Sequence, residues 1–267
     1  MSRIDDLIAE HCPDGVEFKR LGDIAQLVRG NGMPRKDLAA SGVGAIHYGD
    51  IYTRYKVWAT ETFSFISHEK AMALTKVDPG DLVVTNTSEN VDDVGKAVAW
   101  LGNEPVVTGG HATVVKHDEN AKFLSYWFGA PSFDEQKRRL ASGTKVIDVS
   151  ARKLATVRIP VPPLTVQNEI VRILDTVMEL EAELEAELEA ELEARKRQFA
   201  HYRDKLIAES TTVRATMGAV GDFVRGRRFT KADVVPSGIP SIHYGEIYTD
   251  YGVWTTKAIK NIREDLR

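Results

Sequence analysis

The chain has 267 residues, 43% hydrophobic and 28% charged, with a formal net charge of −4. This composition is typical of a globular protein that buries a sizeable core in one large or two ordinary domains. No apolar run approaches the roughly 18 residues of a membrane-spanning helix, and the N-terminal sequence lacks the basic start and apolar stretch of a signal peptide. We therefore expect a cytoplasmic protein without membrane contact. The single cysteine, Cys12, predicts neither a disulfide nor a metal site.

Residues 1–163 are predicted to form a mixed α/β domain, which places the chain in the α+β class. Short β-branched runs bounded by Gly, Pro, Asp or Asn predict strands. These runs are LVVTN, AVAWL, PVVTGGHATVV and ATVRIPV. Two helices are predicted in HEKAMALT and in FLSYWFGAPSFDEQKRRLA, the second with a break at Pro131.

The segment IHYGDIYTRYKVW, from Ile46 to Trp58, alternates apolar or aromatic residues with polar ones. Such alternation predicts a strand, a turn and a second strand. Its aromatic residues are available for stacking on a ligand or for the core.

Residues 164–210 are predicted to form one long helix. Apolar residues recur at helical spacing without a helix breaker, and a helix of this length spans roughly 65 to 70 Å. A long apolar stripe requires a partner helix, so the segment predicts a coiled-coil spacer. The stripe includes Ile170, Leu174, Val177, Leu184, Leu188, Leu192, Phe199, Tyr202 and Leu206.

Within this helix lies the low-complexity run LEAELEAELEAELEA, residues 180–194. One interpretation is a solvated acidic face. The other is a ruler, since each four-residue unit lengthens a helix by about 6 Å and repeat number would set the distance between the flanking domains.

Residues 211–267 repeat the start of the first domain. The segment from Met217 matches the segment from Leu21 without a gap, and nearly half of the aligned residues are identical. The matching region corresponds to residues 15–71, so the sequence predicts a second, truncated copy of the first domain. The large separation between the copies excludes a solenoid.

These motifs together resemble the specificity subunit of type I restriction-modification enzymes. The similarity includes PGDLVVTNTSENVDDVGKAV and is strongest in the segment from Ser142 to Asp175, SGTKVIDVSARKLATVRIPVPPLTVQNEIVRILD. With the long helix and the repeated domain, it spans nearly the whole chain.

The resemblance implies two kinds of element, target-recognition domains and spacer helices. Each recognition domain would read one half of a bipartite site in double-stranded DNA, and the helices would pair antiparallel and dock methylation subunits. This chain would then hold one recognition domain, one spacer helix and part of a second recognition domain. We expect a non-catalytic subunit whose partners are DNA, methylation and restriction subunits, and a second copy bound antiparallel through residues 165–209.

Base recognition requires polar side chains in exposed segments, with cations that position the phosphates. Asn31, Arg54 and Lys56 differ between the two copies and are therefore favoured as base contacts, whereas His47 and Tyr48 persist in both and suit an architectural or backbone contact. The full set of candidates is Arg29, Asn31, Arg35, Lys36, His47, Tyr48, Arg54, Tyr55, Lys56, Thr85, Asn86, Thr87, Ser88 and Asn90.

Other functions find little support in the sequence. There is no cofactor-binding glycine motif of a methyltransferase, no clustered carboxylates of a nuclease and no metal-ligand spacing of histidines, so we expect no catalytic residue, cofactor or metal. The alternative is a coiled-coil scaffold that does not bind DNA. It explains the helix but not the variation in the polar segments of the repeated domain.

Overall fold

Short strands of β-branched residues build the first part of the chain in the computed structural model, which describes residues 3–210 and 215–266. The chain forms two compact units, Met1–Glu191 and Leu192–Arg267. The strands of the first unit are β1 (Phe18–Arg20), β2 (Ala25–Arg29), β3 (Val43–Ile46), β4 (Trp58–Ala59), β5 (Ser64–Ile66), β6 (Thr75–Val77), β7 (Leu82–Thr85), β8 (Thr87–Ser88), β9 (Ala97–Trp100), β10 (Val106–Thr108), β11 (Ala112–His117), β12 (Ile147–Asp148) and β13 (Arg158–Pro160). Its shorter helices are α1 (Arg3–His11), α2 (Leu21–Ile24), α3 (Tyr48–Thr53), α4 (His68–Ala71), α5 (Ala121–Phe128), α6 (Pro131–Leu140) and α7 (Ala151–Leu154).

Two sheets face each other in the first unit. One has the strand order β2-β11-β7-β9-β4 and the other has the order β5-β3-β10-β6. Most neighbours are antiparallel, but β4 runs parallel to β9 and β10 runs parallel to β3. Strands β1 with β13 and β8 with β12 form two small additional ladders. The mixed α/β architecture confirms the predicted fold class.

The central strand β7 shows how the sequence fills both sides of the larger sheet. Successive side chains of a strand point to opposite faces. Leu82 and Val84 pack with the aromatic residues of α5 and α6, whereas Val83 packs on the other face, in one cluster with Ile46 of the smaller sheet. Because both faces are covered, β7 is apolar without alternation.

The predicted strand, turn and strand between Ile46 and Trp58 is wrong, because helix α3 occupies the middle of this segment. His47 caps the helix by accepting a hydrogen bond from the Gly49 backbone N–H. Ile51 points into the core while Tyr48 and Tyr52 lie one turn apart on the opposite side. The aromatic spacing of four residues is helical, and it outweighs the local alternation.

A long helix, α8 (Leu164–Ser210), confirms the predicted spacer helix. Its first turns are anchored to the first unit, where Val166, Gln167 and Val171 are buried. The Gln167 side chain accepts from the Asn120 backbone N–H and donates to the Pro162 carbonyl. Ile170, predicted to contact a partner helix, is partly buried against the main core of the first unit.

Asp175 fixes the next turn of α8. It accepts hydrogen bonds from Lys122 Nζ and Tyr126 Oη, both at 2.7 Å. Burial and the adjacent carboxylate raise the pKa of Tyr126, so its hydroxyl stays protonated and donates. Lys122 also lies 4.2 Å from the centre of the Trp58 ring. These contacts hold the base of the helix against α5.

From Val177 onward the apolar stripe of α8 is exposed. Val177, Leu184, Leu188, Leu192, Phe199, Tyr202 and Leu206 are each more than half accessible. None of the described helices is long and apolar enough to cross a membrane. The stripe is an exposed apolar face of an otherwise polar helix.

The second unit repeats the local structure of residues 21–66. It contains α9 (Met217–Val220), β14 (Val234–Val235), β15 (Ile239–Ser241), α10 (Tyr244–Thr249) and β16 (Lys260–Ile262). The β15–β16 pair corresponds to β3–β5, and α10 corresponds to α3. Residues 211–214 and 267 of the predicted second copy lie outside the described residues.

Corresponding apolar residues of the two copies differ in how deeply they are buried. Leu21, Ile46 and Ile51 are 0%, 0% and 3% exposed in the first unit. Their counterparts Met217, Ile242 and Ile247 are 70%, 49% and 57% exposed. The second unit keeps the apolar residues of the repeat but has no strands corresponding to β7, β9 and β11 among its described residues.

We expect Asp175→Asn to lower the free energy of unfolding by about 1 to 2 kcal/mol, because a half-buried lysine and a tyrosine lose a charged acceptor. Denaturant titration followed by circular dichroism measures the change. Asp204→Asn, which alters an exposed carboxylate on the same helix, is the matched control and should change stability by less than about 0.5 kcal/mol. Equal effects of the two substitutions would contradict the anchoring role of Asp175.

Candidate nucleic-acid interface

Two adjoining cavities open on the surface of the first unit around α3. The larger, about 790 Å³, is lined by the loop Gly32–Arg35, by α3 and by the Gly110–His111 turn. The smaller, about 350 Å³, lies against residues 87–90. Tyr48, Tyr52 and His111 line both cavities and form the partition between them.

The partition is an aromatic cluster. The Tyr48 ring lies 4.6 Å from the His47 ring and 4.8 Å from the His111 ring, and Tyr52 meets Tyr48 edge to face at 6.2 Å. The Tyr52 hydroxyl donates to the Thr87 carbonyl. His111 Nδ1 lies 2.8 Å from the Thr87 hydroxyl. Thr87 of β8 therefore holds the rings of Tyr52 and His111 in place. The cluster presents ring faces suited to stacking.

His47 is held in its neutral form. Burial lowers the pKa of His47, and the nearby Arg35 and His111 lower it further, while Asp50 opposes them. A neutral ring can accept through Nδ1, and this atom accepts from the Gly49 N–H at 3.1 Å. His47 is thus the structural cap of α3 at the edge of the larger cavity.

Positive and negative groups both line the larger cavity. Arg35 and Arg54 provide cations, and Asp50 provides a carboxylate 3.8 Å from Arg54 Nε. Asp50 also accepts from the Ser64 hydroxyl at 2.6 Å. The Arg54 guanidinium lies 5.3 Å from the centre of the Phe63 ring. Arginine can contact phosphate or guanine, and a carboxylate can accept from cytosine N4.

The structure brings together seven of the candidate residues from the sequence at these cavities and leaves the others elsewhere. Arg35, His47, Tyr48 and Arg54 line the larger cavity, and Thr87, Ser88 and Asn90 join Tyr48 at the smaller. Thr87 is nevertheless buried, and its hydroxyl forms a hydrogen bond with His111. Asn90 is tied to Asp93 through both its amide nitrogen and its amide oxygen.

Thr85 and Asn86 do not lie on the surface, so their assignment as base contacts is wrong. Both are fully buried. The Asn86 amide donates to the Val149 carbonyl at 2.7 Å and accepts from the Thr113 hydroxyl at 2.8 Å. A buried amide must be satisfied within the protein, and this one links β11 to the segment before α7.

The remaining candidates lie outside both cavities. Arg29 and Asn31 are exposed and hydrogen bond to the carbonyls of Gly110 and Ala73. Lys36 and Lys56 are also exposed. Tyr55 packs against the core, where burial raises its pKa to about 12. Tyr55 therefore has a structural role, and its hydroxyl accepts from the Phe63 N–H.

Sequence reasoning omitted Tyr52 and His111 from the candidates, although both form the partition. The sequence signal for Tyr52 was its i, i+4 spacing from Tyr48, which places both rings on one side of a helix. This relation is lost when the segment is interpreted as a hairpin. His111 could be placed only once the turn after β10 was known. No group of three or more His, Cys, Asp or Glu residues suited to a metal lies within the described ranges.

The second unit reproduces the frame of this surface with altered charges. His243 Nδ1 accepts from the Gly245 N–H at 3.2 Å, and the His243 and Tyr244 rings lie 4.5 Å apart. Asp250 replaces Arg54, so a cation becomes a carboxylate at the same place in the repeat. The cap and the aromatic pair are kept, while the charge at the end of the helix changes.

A sequence profile described as "Type I restriction modification DNA specificity domain" matches residues 13–194. The chain belongs to this family. It is 33% identical over 234 residues to a protein described as a type I restriction enzyme specificity subunit in Haemophilus influenzae, with 84% of this chain and 54% of that protein covered. The EcoR124I/EcoR124II specificity subunit of Escherichia coli is 23% identical over 195 residues, covering 72% of this chain and 48% of its own.

Solved structures of the same family give weaker matches. The HsdS subunit from Thermoanaerobacter tengcongensis is 18% identical with a TM-score of 0.45, covering 68% of this chain and 44% of that chain. The type I restriction-modification system S subunit from M. genitalium is 14% identical with a TM-score of 0.45, covering 93% of this chain and 63% of that chain. The chain spans about half the length of the curated relatives that it matches.

The lowered pKa of His47 makes a testable prediction about stability. Below the ordinary value of 6.5, an unfolded chain protonates this residue while the folded chain resists protonation, so the free energy of unfolding should fall as the pH drops below about 6.5. His47→Asn keeps a capping acceptor but does not titrate, and we expect a shallower loss of stability between pH 7.5 and 5.5. Denaturant titrations at several pH values measure this slope.

His117 serves as the internal reference for that experiment. Burial also lowers the pKa of His117, and this residue is present in both proteins. Its contribution therefore cancels when the two slopes are compared. Identical slopes for the wild type and His47→Asn would show that His47 does not contribute.

Proposed function

We propose that this chain is a sequence-specific DNA-recognition subunit of a type I restriction-modification complex, and that its first unit reads one half of a bipartite site. The observation that carries the proposal is the pair of cavities around α3, where aromatic faces, two arginines and a carboxylate converge. Family membership supports the same conclusion. Since DNA is the proposed ligand, we place the protein in the cytoplasm.

The chemistry of the cavities supports DNA reading over catalysis. Arg35 and Arg54 can position phosphates or bind guanine, and Asp50 can accept from an amino group of a base. The residues around them hydrogen bond to one another or to backbone carbonyls, which is typical of a rigid recognition surface. We therefore propose that the chain contributes no catalytic group and that methylation subunits supply the chemistry.

The exposed stripe of α8 supports a role in assembly. We propose that residues 165–209, apart from the anchored base of the helix, bind a second copy antiparallel and also dock methylation subunits, with restriction subunits as further partners of the complex. Two copies related by a two-fold axis would read two equivalent half-sites. The Leu-Glu-Ala-Glu repeats would then set the separation of these half-sites, since each unit adds about 6 Å.

A salt series tests DNA recognition against the scaffold alternative. We expect binding to mixed-sequence duplex DNA to weaken by about tenfold or more between roughly 50 and 200 mM salt, because cations at the interface replace counterions of the phosphates. Gel shift or fluorescence anisotropy measures this dependence. An absence of binding at the lowest salt, also in the presence of methylation subunits, would favour a scaffold without DNA contact.

Arg54→Ala should weaken binding at one half-site or relax its base preference, with a loss of about 1 to 3 kcal/mol if the side chain reads a base. A selection from random duplexes measures the preference directly. Lys145→Ala removes another exposed cation of the same unit and serves as the control, which should keep the preferred sequence. An unchanged sequence preference in Arg54→Ala would remove Arg54 from the base contacts.

A further inference from the structure

The smaller of the two cavities in the first unit has no cationic lining. None of the described residues that line it is a lysine or an arginine, whereas Arg35 and Arg54 line the larger cavity. Two acidic residues, Glu89 and Asp93, line the smaller cavity instead. Because phosphates are anionic, a lining of this charge disfavours the DNA backbone and favours a group that donates hydrogen bonds.

Asp93 is already bound within the protein. One of its carboxylate oxygens accepts from the Asn90 side-chain amide at 2.8 Å, and the other lies 2.6 Å from Lys96 Nζ. The hydrogen bond from Lys96 lowers the pKa of Asp93. Since both of its carboxylate oxygens have partners, Asp93 closes the turn between β8 and β9.

Glu89 is the other carboxylate of this cavity, and it is exposed. It forms no hydrogen bond or ion pair with the other residues that the structure describes. An unpaired carboxylate on a surface that binds DNA weakens the attraction to every sequence, because it repels phosphates. Such a group contributes to specificity when it accepts a hydrogen bond from one base and repels the others.

The turn that carries Glu89 is clamped by helix α6. Lys137 is 5% exposed, and its Nζ donates to the Asp92 carbonyl at 2.9 Å. The Arg138 guanidinium binds the Asp92 carboxylate. Gly95 has a φ of +81°, and a Cβ at this position would lie 3.1 Å from the Lys137 side chain. A turn fixed in this way loses little conformational freedom when it binds a ligand.

The walls beside the turn are aromatic and apolar. Tyr48, Tyr52 and His111 separate the smaller cavity from the larger one, and Val146, which is 57% exposed, adds an aliphatic side chain. A hydrogen bond made beside such surfaces is partly shielded from water and is therefore stronger. The cavity thus combines flat apolar walls with one unpaired carboxylate.

The bases of DNA differ in what they offer a carboxylate in the major groove. Guanine presents two acceptors, and thymine presents an acceptor and a methyl group, so neither can donate to a carboxylate there. Cytosine N4 and adenine N6 are amino groups that donate. The cavity therefore matches the two bases that carry an amino group in this groove.

Resting on the proposed recognition of DNA, we infer that Glu89 is a specificity-determining residue that accepts a hydrogen bond from the amino group of a cytosine or an adenine. The smaller cavity then rejects guanine and thymine at that position of the half-site. The cations of the larger cavity contact phosphate or guanine, and the aromatic partition separates the two kinds of contact.

Selection from random duplexes by the full chain, alone and together with methylation subunits, tests this assignment. The wild type should select cytosine or adenine at one position, and the selected base identifies the amino group that is bound. Glu89→Gln keeps the shape of the side chain but adds a donor. It should therefore accept guanine or thymine at that position and lose about tenfold or more of the discrimination. Glu135→Gln changes an exposed glutamate outside both cavities and should keep the full preference.

Affinities for two fixed duplexes separate base recognition from a structural role. E89Q should bind the selected duplex about tenfold more weakly than the wild type does. It should bind a duplex without the site at least as tightly, because a charge that repels phosphates has been removed. Fluorescence anisotropy measures both affinities, and circular dichroism shows whether the variant is folded.

The possible results distinguish this inference from the proposed function. An unchanged preference in E89Q, or a change only where the wild type selects guanine or thymine, would overturn the role of Glu89 and leave DNA recognition intact. Equal weakening on both duplexes would also overturn it, since a structural role predicts that result. A wild type that binds neither duplex would overturn the proposed function itself.

Discussion

The anchoring of α8 to the first unit is the constraint on which the rest of the structure depends. Gln167 is buried against the Pro162 carbonyl and the Asn120 N–H, and Asp175 binds Lys122 and Tyr126. These contacts fix the direction in which the helix leaves the folded domain. A helix can hold a fixed distance from a domain only if its junction with that domain is rigid.

Anchoring also divides the apolar residues of the helix into two classes. Val166, Ile170 and Val171 belong to the domain, whereas the leucines of the repeats are exposed. In the sequence these residues form one uninterrupted pattern, because helical spacing reports which residues share a face and not what covers that face. The division is visible only when the domain is folded beside the helix.

Much of the fold follows from local sequence signals. The β-branched runs bounded by turns became β7, β9, β10 and β11, and the break at Pro131 separates α5 from α6. The prediction for the segment after Ile46 was wrong. The alternation of this segment favours a strand, but the cap by His47 and the four-residue spacing of Tyr48 and Tyr52 favour a helix. The prediction for Thr85 and Asn86 was wrong for a different reason. Polar side chains at the end of a strand can be buried when neighbouring segments supply their hydrogen-bond partners.

The exposed apolar residues of the second unit have a consequence for how the chain resists opening. In the first unit, β3 is flanked by β5 and β10, so its backbone is protected on both edges. Its counterpart β15 pairs with β16 alone, and Ile242 beside it is half exposed. Local opening costs the least free energy where few apolar contacts are broken. The amide hydrogens of the second copy should therefore exchange with solvent faster than those of the first. Two copies of one repeat thus differ in how readily their backbones open, because neighbouring strands cover the first copy and do not cover the described part of the second.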